Sequence, residues 1–365
     1  MVKLGDVCTN QSSNIKLADL ENLIGEYPIY GASGFIKNID FYKQDKPYIA
    51  VVKDGAGIGR VMQLPAFSSV IGTMQYIIPN DNTDVQYLAY AMEHMNLSKY
   101  FSGATIPHIY FKDYKRETLP LPAIEIQRQI AENLDNVTRL IDLCNNILDK
   151  LDLLVKSRFV EMFGDTESNS NDFPVYKLSD LCTVSSSKRI YQEEQSNSGV
   201  PFLRISNLVE LIESGYFGSD LFIPEEKYHE LLENDLVPKA GDILVTSRGT
   251  LGKCYIVKEN DRFYFQDGMI SWIYDIDNSI TPLYLTLLFD TRDIKRQIDN
   301  LQLGSTVAYL SITMLKKLKI VLPPLILQEQ FSVFVEQIDK SKSAVKQVLE
   351  KAETLKKALM QEYFG

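Results

Sequence analysis

The stretch "LPAIEIQRQ" (Leu121–Gln129) recurs 201 residues later as "LPPLILQEQ" (Leu322–Gln330). The same shift places the Phe-Gly pair at 163–164 on the pair at 364–365, without a gap in between. Self-similarity at a fixed spacing is the signature of an internally repeated architecture. The chain therefore contains two copies of one plan, and each copy ends in this segment.

Each repeated segment predicts a long helix, because apolar residues recur at alternating steps of four and three, the heptad seam of a coiled coil. The first seam comprises Ile130, Leu134, Val137, Ile141, Cys144, Leu148, Leu151 and Val155. The second comprises Phe331, Val335, Ile338, Val345, Leu349, Ala352 and Leu359, with Lys342 and Lys356 breaking the row. About 40 residues at 1.5 Å per residue make each helix roughly 60 Å long. Such helices bury their seams most economically by pairing antiparallel; the alternative is that each packs on its own globular segment.

The rest of the sequence predicts a mixed α/β (α+β) fold with a pseudo-two-fold repeat. Two globular domains, 1–120 and 165–321, alternate with the two antiparallel coiled-coil helices, 121–164 and 322–365. Short β-type runs occur at Tyr48–Val52, Gln75–Ile78, Asp242–Val245, Lys253–Val257 and Met269–Tyr274. Helical patterns cover Val85–Tyr100 and Pro282–Leu301.

The glycines of "KDGAGIGRV" (Lys53–Val61) raise the alternative of a dinucleotide-binding loop. That fingerprint has the spacing G-x-G-x-x-G and opens a helix. Here the third glycine, Gly59, comes one place early and a β-type stretch follows. The sequence therefore predicts a tight turn between strands.

Composition excludes several classes of protein. The net charge is −10, and residues 165–321 contain 16 basic and 23 acidic side chains, so no segment has the basic excess of a dedicated nucleic-acid binder. The sequence has no apolar run of 18 residues and no signal-peptide pattern at its start, which predicts a cytoplasmic protein without a membrane partner. P-loop, HExxH and GxSxG motifs are also missing from the sequence, and we expect no catalysis.

Several ordered motifs resemble one family, the specificity (S) subunits of type I restriction–modification systems. The motifs precede the repeated LP…Q helix start in both halves, and the likeness spans essentially the whole chain. They are "YPIYGASGFI" (Tyr27–Ile36), "KDGAGIGRV" (Lys53–Val61), "PFLRISNL" (Pro201–Leu208) and "GDILVTSRGTLGKCYIV" (Gly241–Val257).

This resemblance implies a non-catalytic subunit with two target-recognition domains, each reading half of a split site in double-stranded DNA. It implies that the paired helices space the two domains and that two methyltransferase subunits dock on the chain. Restriction subunits join such complexes. S-adenosylmethionine, ATP and Mg²⁺ belong to those partners, and the resemblance implies no cofactor in this chain.

Polar and basic side chains near predicted strand ends are candidate DNA contacts, because Arg suits guanine and Asn suits adenine. Those in the first domain are Tyr30, Ser33, Lys53, Arg60, Thr105 and His108. Those in the second are Arg204, Ser206, Asn207, Ser247, Arg248 and Lys253, with Lys188 and Arg189 as phosphate contacts. The candidate methyltransferase contacts are Gln127, Gln129, Gln328 and Gln330, for which helix capping or solvation is an equal explanation.

Two other functions stay open on the sequence alone. One is a coiled-coil adaptor that binds two identical proteins without reading DNA, which exchange of residues 1–120 would distinguish. The other is a dinucleotide-dependent enzyme, motivated only by the glycine loop.

Overall fold

The computed structural model describes residues 1–55, 57–102, 107–302 and 308–365. The first half of the chain contains β1 (Val2–Lys3), α1 (Leu4–Val7), β2 (Cys8–Ser12), β3 (Tyr27–Gly31), β4 (Gly34–Ile39), β5 (Tyr48–Val52), β6 (Val61–Leu64), β7 (Ser69–Val70), β8 (Met74–Pro79), α2 (Val85–His94), α3 (Phe111–Tyr114), β9 (Thr118–Leu119) and α4 (Ile124–Phe163).

The second half contains β10 (Val175–Lys177), α5 (Leu178–Leu181), β11 (Thr183–Ser186), β12 (Val200–Leu203), α6 (Ile205–Ser214), β13 (Phe222–Ile223), α7 (Glu225–Glu233), β14 (Ile243–Thr246), β15 (Cys254–Ile256), β16 (Tyr264–Phe265), β17 (Ile270–Tyr274), α8 (Pro282–Leu288), α9 (Arg292–Leu301), α10 (Ile312–Lys317), β18 (Lys319–Val321) and α11 (Leu325–Phe364). Short 3-10 helices cover Leu17–Leu20, Leu97–Tyr100 and Gln192–Glu194.

The chain forms two compact units. Unit 1 comprises Met1–Asp149 and Ser343–Gly365, and unit 2 comprises Lys150–Lys342. Each long helix therefore contributes residues to both units. None of the helices in the described ranges is long and apolar enough to cross a lipid bilayer.

Unit 1 contains a four-stranded antiparallel sheet in the order β2-β8-β5-β6 and a three-stranded sheet in the order β4-β3-β7. Every residue of β5 is buried. Its alternate side chains face two cores: Ile49 and Val51 contact the cluster that contains α2, whereas Ala50 and Val52 contact the cluster that contains β7. A strand buried on both faces explains the continuous apolar run in the sequence.

Unit 2 has the same plan. Its four-stranded antiparallel sheet has the order β11-β17-β14-β15, and its three-stranded sheet has the order β13-β12-β16. In each three-stranded sheet the central strand is antiparallel to one neighbour and parallel to the other. The equivalent strand orders confirm the duplication that the repeated sequence predicts.

The two long helices run antiparallel within each unit. In unit 1, Asn133 near the start of α4 hydrogen-bonds Tyr363 near the end of α11 (Nδ2–Oη, 3.4 Å). In unit 2, Phe159 near the end of α4 contacts Phe331 near the start of α11, with ring centroids 5.7 Å apart. Lys342 interrupts the second seam and pairs there with Asp152 at 2.5 Å. The antiparallel prediction is confirmed.

Each globular domain also contacts the end of the long helix that follows the other domain in the sequence. The ring of Phe364 lies 5.2 Å from Tyr87 of α2, and that of Phe163 lies 4.8 Å from Tyr284 of α8. The repeated Phe-Gly pair therefore ends each helix against a buried tyrosine. Burying a phenylalanine side chain contributes about 2–3 kcal/mol.

Two predicted helices are shorter than the sequence suggested. The first ends at His94 because Asn96 adopts the left-handed conformation (φ 50°), which interrupts the helical backbone. The second divides into α8 and α9, because Thr291 caps a new helix by accepting a hydrogen bond from Ile294 N. The helices α6 and α7 were not predicted.

The glycine loop joins β5 to β6, which pair antiparallel, and this confirms the predicted turn. Gly59 has φ 82°, and a Cβ there would lie 2.5 Å from Ser98 N. The third glycine is thus required for a close backbone approach and for a left-handed turn, and it does not open a helix.

Candidate nucleic-acid interface

Strand ends in unit 1 bring four predicted contact residues to one edge. Tyr30 pairs with Val70 across parallel strands, and Val52 pairs with Met74 in the larger sheet. We call the loops that extend these strands, residues 30–35, 53–55, 57–60 and 71–73, edge 1. Tyr30, Ser33, Lys53 and Arg60 all lie on edge 1.

A hydrogen bond ties the two longer loops of edge 1 together. Arg60 Nη1 donates to Ala32 O at 2.8 Å, which holds the β3–β4 hairpin against the glycine loop. Arg60 and Ser33 are exposed. Both side chains are accessible to a ligand that approaches this edge.

Lys53 and His108 both bind one carboxylate. Lys53 Nζ lies 2.9 Å from Asp54 Oδ2, and His108 Nδ1 lies 2.6 Å from Asp54 Oδ1. Burial raises the pKa of the Asp54 carboxyl, but the hydrogen bonds from His108 and Lys53 outweigh it and leave that pKa below its ordinary value. Thr105 lies outside the described residues.

Sequence reasoning missed three further residues near edge 1. Phe35 is 60% exposed and its ring lies 6.1 Å from that of Tyr30. Lys112 Nζ lies 5.1 Å from the ring of Tyr110, and both line a shallow pocket together with Lys53. The aromatic and basic residues that follow His108 are the signal that would have identified Tyr110 and Lys112.

Unit 2 has an equivalent edge. Thr246 pairs with Ile270 and Ser186 with Ser271, so β11 and β14 end where β17 begins. The parallel strands β12 and β16 end together, and Gly268 N donates to Ser186 Oγ at 3.2 Å. We call residues 186–189, 203–207, 246–253 and 266–270 edge 2. All eight candidates of the second domain lie on edge 2.

The candidates on edge 2 differ in their exposure. Ser206 and Arg248 are exposed, and the Arg248 guanidinium lies 5.1 Å from the ring of Tyr309. Each remaining basic candidate is ion-paired with a carboxylate. The pairs are Lys188–Glu230 (3.3 Å), Arg189–Asp267 (2.8 Å), Arg204–Asp220 and Lys253–Glu213.

The structure corrects two of the predicted base contacts. Ser247 is 1% exposed, and its hydroxyl hydrogen-bonds Ser271 at 2.7 Å. Asn207 is buried at the start of α6, where its Oδ1 accepts from Arg204 N at 3.0 Å and its Nδ2 donates to Gly218 O at 2.6 Å. Both side chains form their hydrogen bonds with other groups of the domain.

The structure also corrects two of the predicted methyltransferase contacts, because Gln127 and Gln328 are fully buried. Gln127 Oε1 accepts from Asp84 N (2.9 Å), and its Nε2 donates to Asn82 O (3.1 Å) and Pro122 O (2.8 Å). This glutamine joins the start of α4 to the start of α2, so the capping explanation is correct for it.

Gln328 repeats this arrangement in unit 2. Its Oε1 accepts from Thr281 N (2.8 Å), and its Nε2 donates to Ser279 O (3.0 Å) and Pro323 O (2.9 Å). Gln129 and Gln330 are exposed. Their predicted contact with a methyltransferase stays a prediction.

Within the described residues, no cluster of three or more His, Cys, Asp or Glu side chains is placed to hold a metal ion. The arrangement at both edges is one of hydrogen-bond donors, hydroxyls and aromatic rings at strand ends. Such groups suit recognition of base edges and phosphates.

Comparison with known proteins points to one family. The family model "Type I restriction modification DNA specificity domain" matches residues 1–153 and again 170–354. A putative type I restriction enzyme specificity subunit from Haemophilus influenzae is 24% identical over 339 residues, covering 89% of this chain and 83% of the relative. The MjaVIII specificity subunit of Methanocaldococcus jannaschii is 25% identical, covering 93% and 85%.

Solved structures share the fold. The S subunit of a type I restriction–modification system from M. genitalium superimposes with a TM-score of 0.65 at 16% identity, covering 100% of this chain and 95% of that chain. A chain from a study of complex assembly and conformational transition in the type I R-M system gives a TM-score of 0.57 at 14% identity, covering 99% and 96%. Because the two matches to the family model together cover nearly the whole chain, the chain belongs to the type I restriction–modification specificity subunits, which recognise DNA and do not catalyse its modification.

Proposed function

We propose that each recognition domain of this chain reads one half of a bipartite site in double-stranded DNA. The observation that carries the proposal is the pair of equivalent edges. Two domains with the same strand orders place Arg, Lys, Ser and aromatic side chains at the corresponding strand ends. A repeated reader suits a target that is itself made of two parts.

In this proposal the long helices set the gap between the half-sites. Each helix is 40 residues long, and each contributes residues to both units. The buried glutamines and the terminal phenylalanines fix each recognition domain to both helices. A domain that is fixed at the start of one helix and the end of the other has little freedom to change its spacing.

The helices are also the proposed docking surface for two methyltransferase subunits. Leu154 and Leu355 are equivalent under the 201-residue shift, and both side chains are nearly half exposed. Ile126 and Ile326 are exposed near the two helix starts, although they are one position out of register under that shift. Apolar side chains on an otherwise polar helix face suit a protein partner. Two copies of one methyltransferase need matching contacts on both helices.

The partners supply the chemistry in this proposal. S-adenosylmethionine binds the methyltransferase subunits, and ATP and Mg²⁺ serve the restriction subunits where these join. The chain itself binds none of the three. Its residues position the DNA relative to the docked enzymes.

The net negative charge of the chain affects how tightly it binds DNA. Phosphate contacts supply most of the salt-dependent affinity of DNA-binding proteins. On edge 2 the cations Lys188, Arg189, Arg204 and Lys253 already carry carboxylate partners. We therefore expect tight binding only from the complex with methyltransferase. Strong binding by the isolated chain, with a steep salt dependence, would contradict this expectation.

Mapping of methylated adenines tests the proposal. The host genome is sequenced for N6-methyladenine with and without the gene for this chain, and the chain is purified to identify bound methyltransferase. We expect a two-part motif with a fixed gap that disappears without the chain. Copurification of a methyltransferase with no loss of any methylated motif would favour the adaptor that does not read DNA.

A further inference from the structure

One ion pair on edge 2 has a geometry suited to reading a base. Arg189 follows β11 and Asp267 follows β16, and both strands end at this edge. Arg189 Nε donates to Asp267 Oδ2 at 2.8 Å. The Arg189 side chain is 64% exposed, whereas that of Asp267 is only 21% exposed. The Asp267 side chain is thus mostly buried, whereas most of the Arg189 side chain is exposed to solvent.

The pair leaves the outer side of the guanidinium unoccupied. Only Nε of Arg189 donates a hydrogen bond within the part of the chain that the structure describes. The two terminal nitrogens form a planar pair of donors, and this pair matches the O6 and N7 acceptors of guanine in the major groove. Adenine offers a donor in place of O6, so the same fork would face it with one mismatched group.

We propose that Arg189 reads a guanine in the half-site of the second domain and that Asp267 is its positioning residue. The inference rests on the proposed function, because it needs DNA to bind at edge 2. It replaces the phosphate contact that the sequence predicts for Arg189. The carboxylate fixes a flexible side chain before binding, which lowers the entropic cost of contact. It also repels phosphates, which weakens contact with unrelated DNA.

The other arginines in ion pairs of unit 2 differ from Arg189 in the nitrogen that they use. Arg204 binds Asp220 through Nη2, and its Nε is buried without a partner among the described residues. Arg262 binds Glu225 through Nη2 as well. Arg262 precedes β16, whereas edge 2 follows it, so the pair Arg262–Glu225 lies at the opposite end of that strand. This pair is a matched control.

The experiment uses the complex of the full chain with its methyltransferase. The two-part motif is first mapped, and methylation is then measured on duplexes that carry each of the four bases at each position of the second half-site. A bidentate contact discriminates by about 1–3 kcal/mol, or roughly 5- to 150-fold. We expect the wild type to require guanine at one position by such a factor, and Arg189→Ala to lose the preference at that position alone.

Two conservative variants distinguish base reading from phosphate contact. Arg189→Lys keeps the charge but loses the planar fork, so it should weaken the guanine preference, whereas a phosphate contact would survive this change. Asp267→Asn should reduce that preference and raise methylation of non-cognate duplexes. Arg262→Ala and Glu225→Gln should leave every base preference unchanged. Thermal unfolding of each variant verifies that it is folded.

The outcomes separate the inference from the proposed function. If the wild-type complex methylates no two-part site, the proposed function fails and the inference fails with it. If the motif exists but Arg189→Ala lowers methylation equally for all four bases and Arg189→Lys restores it, Arg189 contacts phosphate and only the inference is overturned. An unchanged preference in all Arg189 variants overturns it as well.

Discussion

Replacing the buried glutamine at the start of α11 should strongly destabilise unit 2. Gln328→Met keeps nearly the same side-chain volume but removes three hydrogen bonds, to Thr281 N, Ser279 O and Pro323 O. Leaving a buried polar group without its partner costs about 1–3 kcal/mol. Three backbone groups lose their partner here, one N–H and two carbonyls, and hydration compensates part of the loss at the carbonyls. The free energy of unfolding should therefore fall by about 3–6 kcal/mol.

The single tryptophan of the sequence makes the assay specific. Trp272 lies in β17 of unit 2 and is 5% exposed, so its fluorescence reports the unfolding of that unit. If the free energy of unfolding falls by about 3 kcal/mol per M urea, the predicted loss lowers the urea concentration at the unfolding midpoint by about 1–2 M. The matched control is Gln330→Met, which changes an exposed glutamine two residues later and should shift the free energy by less than about 0.5 kcal/mol. Equal midpoints for the two variants would refute the structural role of Gln328.

Three further predictions concern single side chains. Arg248→Ala should lower methylation of the cognate site about tenfold, because we propose that this exposed arginine on edge 2 contacts a base or a phosphate; unchanged methylation speaks against this loop as a reader. Asp54→Asn should destabilise the protein at pH 7, because the hydrogen bonds that lower the pKa of Asp54 stabilise its carboxylate in the folded state. This stabilisation is present above the unfolded pKa of about 3.9 and is lost as pH falls through the folded pKa. The difference in unfolding free energy between the variant and the wild type should therefore vanish at low pH. A difference that is constant with pH would contradict this assignment. Lys342→Met should leave the unfolding free energy unchanged or raise it by about 1 kcal/mol, because the substitution replaces the ion pair with Asp152 by an apolar side chain in the seam. A loss of more than about 2 kcal/mol, measured by urea unfolding, would contradict this.

The sequence predicted the parts of the fold that depend on local pattern. The heptad seams gave the two long helices, which begin and end within three residues of the predicted segments 121–164 and 322–365. Tyr48–Val52 is a strand with the predicted bounds. The helix α6 has apolar residues at Ile205, Leu208, Val209 and Ile212, the spacing of an amphipathic helix, and could have been predicted from it. The helix α7 has only three apolar residues in nine, so its pattern is weaker.

The burial of the repeated glutamines could have been inferred from the same pattern. Gln127 lies four residues before Ala131 and seven before Leu134, and both are buried. Residues at these spacings share one helix face. The amide was assigned to the surface because glutamine is usually exposed. Two of its three partners are backbone groups more than 40 residues away in the chain, which no local pattern reveals.

The candidate interface was the least predictable part. Strand ends indicated where the candidate contact residues lie, but the pairing of Arg189 with Asp267 joins residues 78 positions apart. Such pairs depend on how loops from different strands meet. The burial of Ser247 likewise follows from a partner, Ser271, on a neighbouring strand.

Exchange of one recognition domain tests the central claim most directly. Residues 1–120 are replaced by the corresponding segment of another specificity subunit, and methylated adenines are mapped across the host genome. We predict that one half of the motif changes while the other half and the gap between them stay the same. A motif that changes in both halves, or one without a gap, would contradict the account of two independent readers at a fixed spacing.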